Sequence, residues 1–130
     1  MKIINRTRQA ELADRAWVAR TAGERMKGLL GRDGLGPGEA LYISPCTSIH
    51  SFFMRFVFDA VFIAADGTAL HLIPRMKKWR MSKIVPRAAG VIELPAGALE
   101  RTGTCKGDKI SFEDQPAGVV GSDSIEPKPV

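Results

Sequence analysis

Apolar residues along the chain fall in short runs parted by turn formers, the spacing of strands in a sandwich or barrel. Ile3-Ile4, Ala16-Trp17-Val18-Ala19 and Ala40-Leu41-Tyr42-Ile43 predict three early strands. Arg55 to Ala64 is the longest and most apolar run, and Asp66-Gly67 follows it with the two positive-φ positions of a tight hairpin. Ala69-Leu70-His71-Leu72-Ile73 then returns and is stopped by Pro74. Gly90-Val91-Ile92-Glu93-Leu94 and Lys109-Ile110-Ser111-Phe112 complete the set, with Lys106-Gly107-Asp108 turning into the last strand.

In the long strand, Phe56, Phe58 and Phe62 project to one face and Val57, Val61 and Ile63 to the other. Apolar residues on both faces predict an interior strand with layers on either side. Asp59 lies on the second face, where an isolated charge is too costly to leave unpaired. Arg55, Arg25 and Arg32 are its candidate partners.

One helix is expected from Thr21-Ala22-Gly23-Glu24, which matches a capping box. Met26, Leu29 and Leu30 form its apolar face and Gly31 its stop, leaving Gly28 mid-helix at a cost of about 1 kcal/mol against alanine. A shorter turn is expected over Ala98 to Thr102, ended by Gly103. The fold class that follows is mostly β, a β-sandwich or jelly-roll-like domain with one or two short helices. Residues 1–114 are expected to form a single β-rich globular domain. From Gln115 to Val130 the chain is rich in Pro and Gly with no aromatic residue, the composition of a flexible tail.

Composition narrows the class of function. At 45% hydrophobic and 25% charged residues, the 130-residue chain can build a core without disulfide or metal. Its two cysteines, Cys46 and Cys105, then read as free thiols of a reducing compartment. The start, Met1 to Arg8, lacks the apolar run of a signal peptide, and the stretch Phe56 to Ala65 is half the length of a membrane span. A cytoplasmic monomer without a membrane span is therefore expected. Three acids against one lysine give residues 114–130 a net charge of −2, so the preceding residues carry +7 of a chain whose overall charge is +5. No acid lies between Asp66 and Glu93, where Arg75, Lys77, Lys78, Arg80, Lys83 and Arg87 all fall.

Four segments share a known pattern. They are Glu24-Arg25-Met26-Lys27-Gly28-Leu29-Leu30-Gly31-Arg32, Ser48-Ile49-His50-Ser51-Phe52-Phe53-Met54-Arg55-Phe56 with Asp59 beyond it, Val91-Ile92-Glu93-Leu94-Pro95-Ala96-Gly97, and Lys106-Gly107-Asp108. In this order they resemble the domain of unknown function family number 192, from about Ile3 to Phe112. The resemblance implies a β-sandwich or jelly-roll-like domain with a helix or two, and no activity. Many members have Phe-Trp-Met where this chain has Phe52-Phe53-Met54, which changes the shape of any pocket there and removes an N–H donor.

The densest polar constellation is Cys46, Ser48, His50, Ser51, Arg55 and Asp59. Cys46 with His50 is the pair for a thiolate-imidazole nucleophile or half a metal site, but an extended segment holds them about 13 Å apart. No Cys-x-x-Cys or His-x-x-x-His spacing supports a metal site, and no catalytic residue, metal ligand or cofactor is assigned. The favoured reading is a non-enzymatic binding or accessory domain with a polar cleft for a small polar or anionic ligand or a protein partner. His50, Arg55, Asp59, Cys46, Arg25 and Arg32 are its candidate ligand-binding residues. The alternatives are an enzyme using Cys46 or His50, and polyanion or nucleic-acid binding through residues 75–83, with Trp79 among its basic residues. Against the last, no nucleic-acid motif is present, and Trp79 is expected to plug the open end of the sandwich. Glu93 is expected to pair with the basic stretch, and Asp108 to bond its own turn.

Overall fold

The computed structural model describes residues 1–114, so the tail expected over residues 115–130 lies outside the described residues. Eight strands and two short helices follow in the order β1 (Lys2–Asn5), β2 (Ala10–Ala13), β3 (Arg15–Ala19), α1 (Ala22–Lys27), β4 (Glu39–Ile43), β5 (Phe58–Ile63), β6 (Ala69–Met76), β7 (Gly90–Pro95), α2 (Ala98–Thr102) and β8 (Ile110–Glu113). They form a three-stranded sheet, β2-β1-β8, and a five-stranded sheet, β3-β4-β7-β5-β6. The fold is mostly β, as the spacing of apolar runs predicts. Strands β3 and β4 are parallel, and such neighbours need a crossover, here the segment that carries α1.

One core cluster lies between the sheets, where Ile3, Leu12 and Ile110 of the small sheet meet Val61, Ile63, Ile92 and Leu94 of the large one. The other face of the large sheet carries a second cluster built on Leu41, Phe58, Ala60, Phe62 and Val91. Irregular chain covers this second cluster through Leu29, Ile49, Met54 and Val85. All six residues of β5 are buried, so the expected two-sided cover of the phenylalanine-bearing strand is present.

Several expected boundaries move, each for a local reason. Strand β5 begins at Phe58 rather than Arg55, and β2 is an additional strand. The hairpin after β5 has positive φ only at Gly67, with the Gly67 amide donating to the Ala64 carbonyl and the Ala64 amide to the Thr68 carbonyl. This is a three-residue loop with glycine at its bulge. Strand β6 runs through Pro74, which an edge strand tolerates because it needs no amide there. Helix α1 keeps its capping box but ends at Lys27, with Gly28 as C-cap at φ +48°. The expected apolar face is not buried as a unit: Leu29 is buried beyond the helix, while Met26 is exposed.

Gly90 opens β7 where a methyl group would lie 2.6 Å from the Ile43 carbonyl oxygen and 2.5 Å from the Tyr42 ring. The carbonyl belongs to a paired strand and cannot yield. Gly90→Ala is therefore expected to destabilise the protein by about 2–4 kcal/mol, read as a lower urea midpoint with the slope unchanged.

Candidate functional site

Glu93 lies in β7, the middle strand of the large sheet, directly opposite Leu41 of β4 and Ala60 of β5. Its side chain therefore points to the same face as those two residues, into the second core. It is only 4% exposed, and no hydrogen bond or ion pair to its carboxyl exists among the described residues. Burial alone pushes it up to about 8, so the carboxyl is largely neutral at neutral pH. A neutral carboxyl offers one O–H donor as well as acceptor lone pairs. The expected pairing of Glu93 with the basic stretch does not occur.

The Glu93 side chain lines a cleft of about 390 Å³. One wall is α1 and the turn after it, with Arg25, Met26, Lys27, Leu29 and Leu30. The other comes from the end of β4 and the chain beyond it: Ile43, Pro45, Cys46, Ser48, Ile49, His50 and Met54. The 49–53 segment is held by pairing with residues 79–82, through a His50–Met81 bridge and the Ser82 amide donating to the Ile49 carbonyl. Ser51 joins the two turns: its hydroxyl donates to the Lys77 carbonyl at 2.5 Å and accepts the Arg80 amide at 2.9 Å. A second hollow of about 480 Å³, beside Ile4, Arg6, Gln9, Ala10 and Glu11, is larger. Every polar residue lining it is exposed, so nothing in it is held unsatisfied.

Of the residues singled out from the sequence, Cys46, His50 and Arg25 meet in the cleft. Arg55, Arg32 and Asp59 are not among its lining residues. Arg55 pairs with Asp33 at 2.8 Å on the surface. Arg32 pairs with Glu39 at 3.2 Å and lies over the Trp17 ring. Asp59 is fully buried, as expected, but its partners are backbone amides and no arginine side chain. Oδ1 accepts from Arg75 at 2.7 Å, and Oδ2 from Gly97 at 3.1 Å and Leu99 at 2.9 Å.

The sequence around Asp59 makes these amides available. Phe58 pairs with Met76 and Ala60 with Ile73, so β6 carries an extra residue opposite Asp59. Arg75 sits in that bulge at φ +49°, and its amide turns inward to Oδ1. Gly97, the N-cap of α2, has no side chain to close the helix end, and Asp59 supplies that acceptor from across the fold. Asp108 has a comparable structural role. Burial works to raise it, but hydrogen bonds from Arg8, Asn5 and the Cys105 amide prevail and hold it below its usual range. The expected self-bonding turn is present and is tied to β1 as well.

Within the cleft, burial raises the Cys46 thiol above its ordinary value, outweighing the hydrogen bond at the Ser48 backbone that works to lower it; smaller effects come from Glu93, which raises it, and Arg25, which lowers it. Its Sγ donates to the Ser48 carbonyl at 3.1 Å. A thiol held protonated is a poor nucleophile. The His50 Nδ1 accepts the Phe52 amide at 3.2 Å, which places the proton of the neutral ring on Nε2. No group of three or more His, Cys, Asp or Glu residues among the described residues is arranged to hold a metal ion. No helix among them is long and apolar enough to cross a membrane.

The family model DUF192, described as "Uncharacterized ACR", matches residues 3–112. No curated protein matches the chain. A protein of unknown function from Novosphingobium aromaticivorans is similar in structure, with a TM-score of 0.74 and 20% identity over 85% of this chain and 82% of its own. A Sinorhizobium meliloti protein described as a "putative transcription regulator" is similar at a TM-score of 0.70 and 24% identity, covering 85% of this chain and 89% of its own.

Proposed function

This chain belongs to the DUF192 family, and from that premise we propose that residues 1–114 act as one small-molecule-binding domain whose cleft ends at Glu93. The observation that carries this reading is a carboxyl buried in a central strand, facing a cleft, with no partner among the described residues. A buried polar group left unsatisfied costs roughly 1–3 kcal/mol, and a ligand atom that hydrogen-bonds to it recovers that cost. The volume falls within the range of about 300–1,000 Å³ usual for small-molecule sites.

The lining argues for the kind of ligand. Leu29, Ile43, Ile49 and Met54 offer an apolar wall, while Arg25 and Lys27 bring positive charge. Apart from Glu93, no acid lines the cleft. A cationic head is repelled there, whereas a carboxylate or carbonyl oxygen accepts the Glu93 proton and is drawn by the arginine and lysine. The ligand is thus a short apolar molecule ending in a carboxylate or amide. Cys46 and His50 line its path without acting on it, which favours binding over an enzyme built on either.

Backbone amide NMR titrations with hexanoate, hexanamide and hexylamine test this at neutral pH. Hexanoate and hexanamide are expected to shift amides of β7, α1 and residues 46–50, and hexylamine to leave them unmoved. Hexanoate affinity should fall as pH rises through about 8, because ionised Glu93 repels the carboxylate. Absence of shifts with all three, or shifts confined to other surfaces, removes the reading.

A further inference from the structure

A second surface stands out from the cleft by its chemistry. Phe53 is 72% exposed, Trp79 55%, and Met81 and Ile84 68% each. The expected plugging of the sandwich by Trp79 does not occur. Phe53 and Trp79 both have positive φ, +66° and +61°, where bulky side chains are rare. Their rings meet edge to face at 4.7 Å, so two strained turns hold one aromatic ridge in solvent. Ser51 locks these turns together, as its carbonyl also accepts the Trp79 amide at 3.1 Å. Lys77, Lys78 and Arg80, all exposed, flank the ridge on a stretch of chain that contains no acid.

We infer that this ridge docks on an anionic lipid bilayer, the apolar side chains entering the interface while the flanking cations meet the headgroups. Charge complementarity sets the sign of the partner. The side-chain types set its class. Met81 and Ile84 have no π-face to stack on a base, and the Phe53 and Trp79 rings meet edge to face rather than as parallel platforms spaced for successive bases. Phe53 and Trp79, in ring contact, and Met81, bridged to His50 beside them, gain by leaving water for acyl chains, which is how interfacial anchors bind, and Ile84 is exposed further along the same segment. Such exposed apolar groups beside basic residues mark an interaction surface more than chance does.

Co-sedimentation of the full chain with extruded vesicles decides the matter. Pelleting is expected with phosphatidylglycerol–phosphatidylcholine vesicles, to weaken with added salt, and to be slight with phosphatidylcholine alone. Replacing Lys77 and Lys78 by alanine is expected to weaken binding roughly tenfold or more, since each basic residue near such a surface adds several-fold. The double substitution Phe53→Ser with Trp79→Ser should abolish pelleting. The replaced residues are exposed, and an unchanged thermal melt by circular dichroism verifies the fold of each variant. The inference is overturned if anionic vesicles fail to pellet the protein, or if pelleting survives the Phe53/Trp79 change. It is also overturned if the lysine dependence appears only in binding to an oligothymidylate probe.

Discussion

Glu93→Gln is expected to make the protein more stable at pH 8, and much less so at pH 4.5. In the unfolded chain the carboxyl titrates near 4.5, and in the fold at about 8. The folded state therefore holds the proton more tightly. Below pH 4.5 both states are protonated and the group costs no ionisation energy. Between there and about 8 the unfolded chain releases its proton while the folded chain retains it, so stability falls as pH rises. The loss runs at about 1.4 kcal/mol per pH unit and totals on the order of 4–5 kcal/mol once the folded carboxyl also ionises. Glutamine has a similar shape and does not ionise, so it removes this slope. Urea unfolding of both proteins from pH 4.5 to 8 measures it. Comparing variant with wild type cancels the titration of His71, which burial and the lysines Lys83 and Lys106 hold below its ordinary value. Parallel pH profiles for the two proteins would falsify the buried, neutral state of Glu93. A residue that lowers stability while facing an open cleft is what a binding function retains at the expense of the fold.

Asp59→Ala is expected to bring the chain close to unfolding. Removing the carboxylate leaves the amides of Arg75, Gly97 and Leu99 without their acceptor. Hydrogen bonds to a charged group are worth about 1.5–3 kcal/mol each, and losing three together costs on the order of 4–6 kcal/mol. That is comparable with the whole stability of many domains, roughly 5–15 kcal/mol. Asp59→Asn should fall in between, because both carboxylate oxygens accept and an asparagine offers only one. Its amino group must then face an N–H. Far-UV circular dichroism in urea gives the order wild type, asparagine, alanine. An alanine variant within about 1 kcal/mol of wild type would show that the three amides find other partners.

Much of the architecture was legible because it rests on local rules. Apolar alternation located seven of the strands, and Thr21 with Glu24 announced the helix start. Strand β2 was not legible. Ala10-Glu11-Leu12-Ala13 has one large apolar residue, and its conformation comes from pairing with β1 across a turn in which Gln9 has φ +53°. The burial of Asp59 followed from the two apolar faces of its strand, but the partner was misjudged. An arginine can be counted along a sequence, whereas amides freed by a bulge and an uncapped helix appear only once the chain is folded.

Glu93 shows the same logic left unapplied. Val91 shares its face and Ile92 and Leu94 fill the other, the pattern that flagged Asp59. That signal is present in the sequence, where Glu93 is instead expected to pair with the basic stretch. For the cleft, the segment from Cys46 to His50 and the helix residue Arg25 were visible as candidates. Their convergence on Glu93 depends on the crossover between β3 and β4, which no residue pattern encodes.

Helix α1 buries none of its residues. It is tied to the body at its ends, by the parallel crossover on one side and by Leu29 on the other. Elements with so little packing have the lowest free energy of local unfolding in a protein, and their hydrogen bonds break long before the sheets part. The cleft proposed as a binding site thus has one wall able to breathe, while its floor on β7 belongs to the middle strand of a sheet.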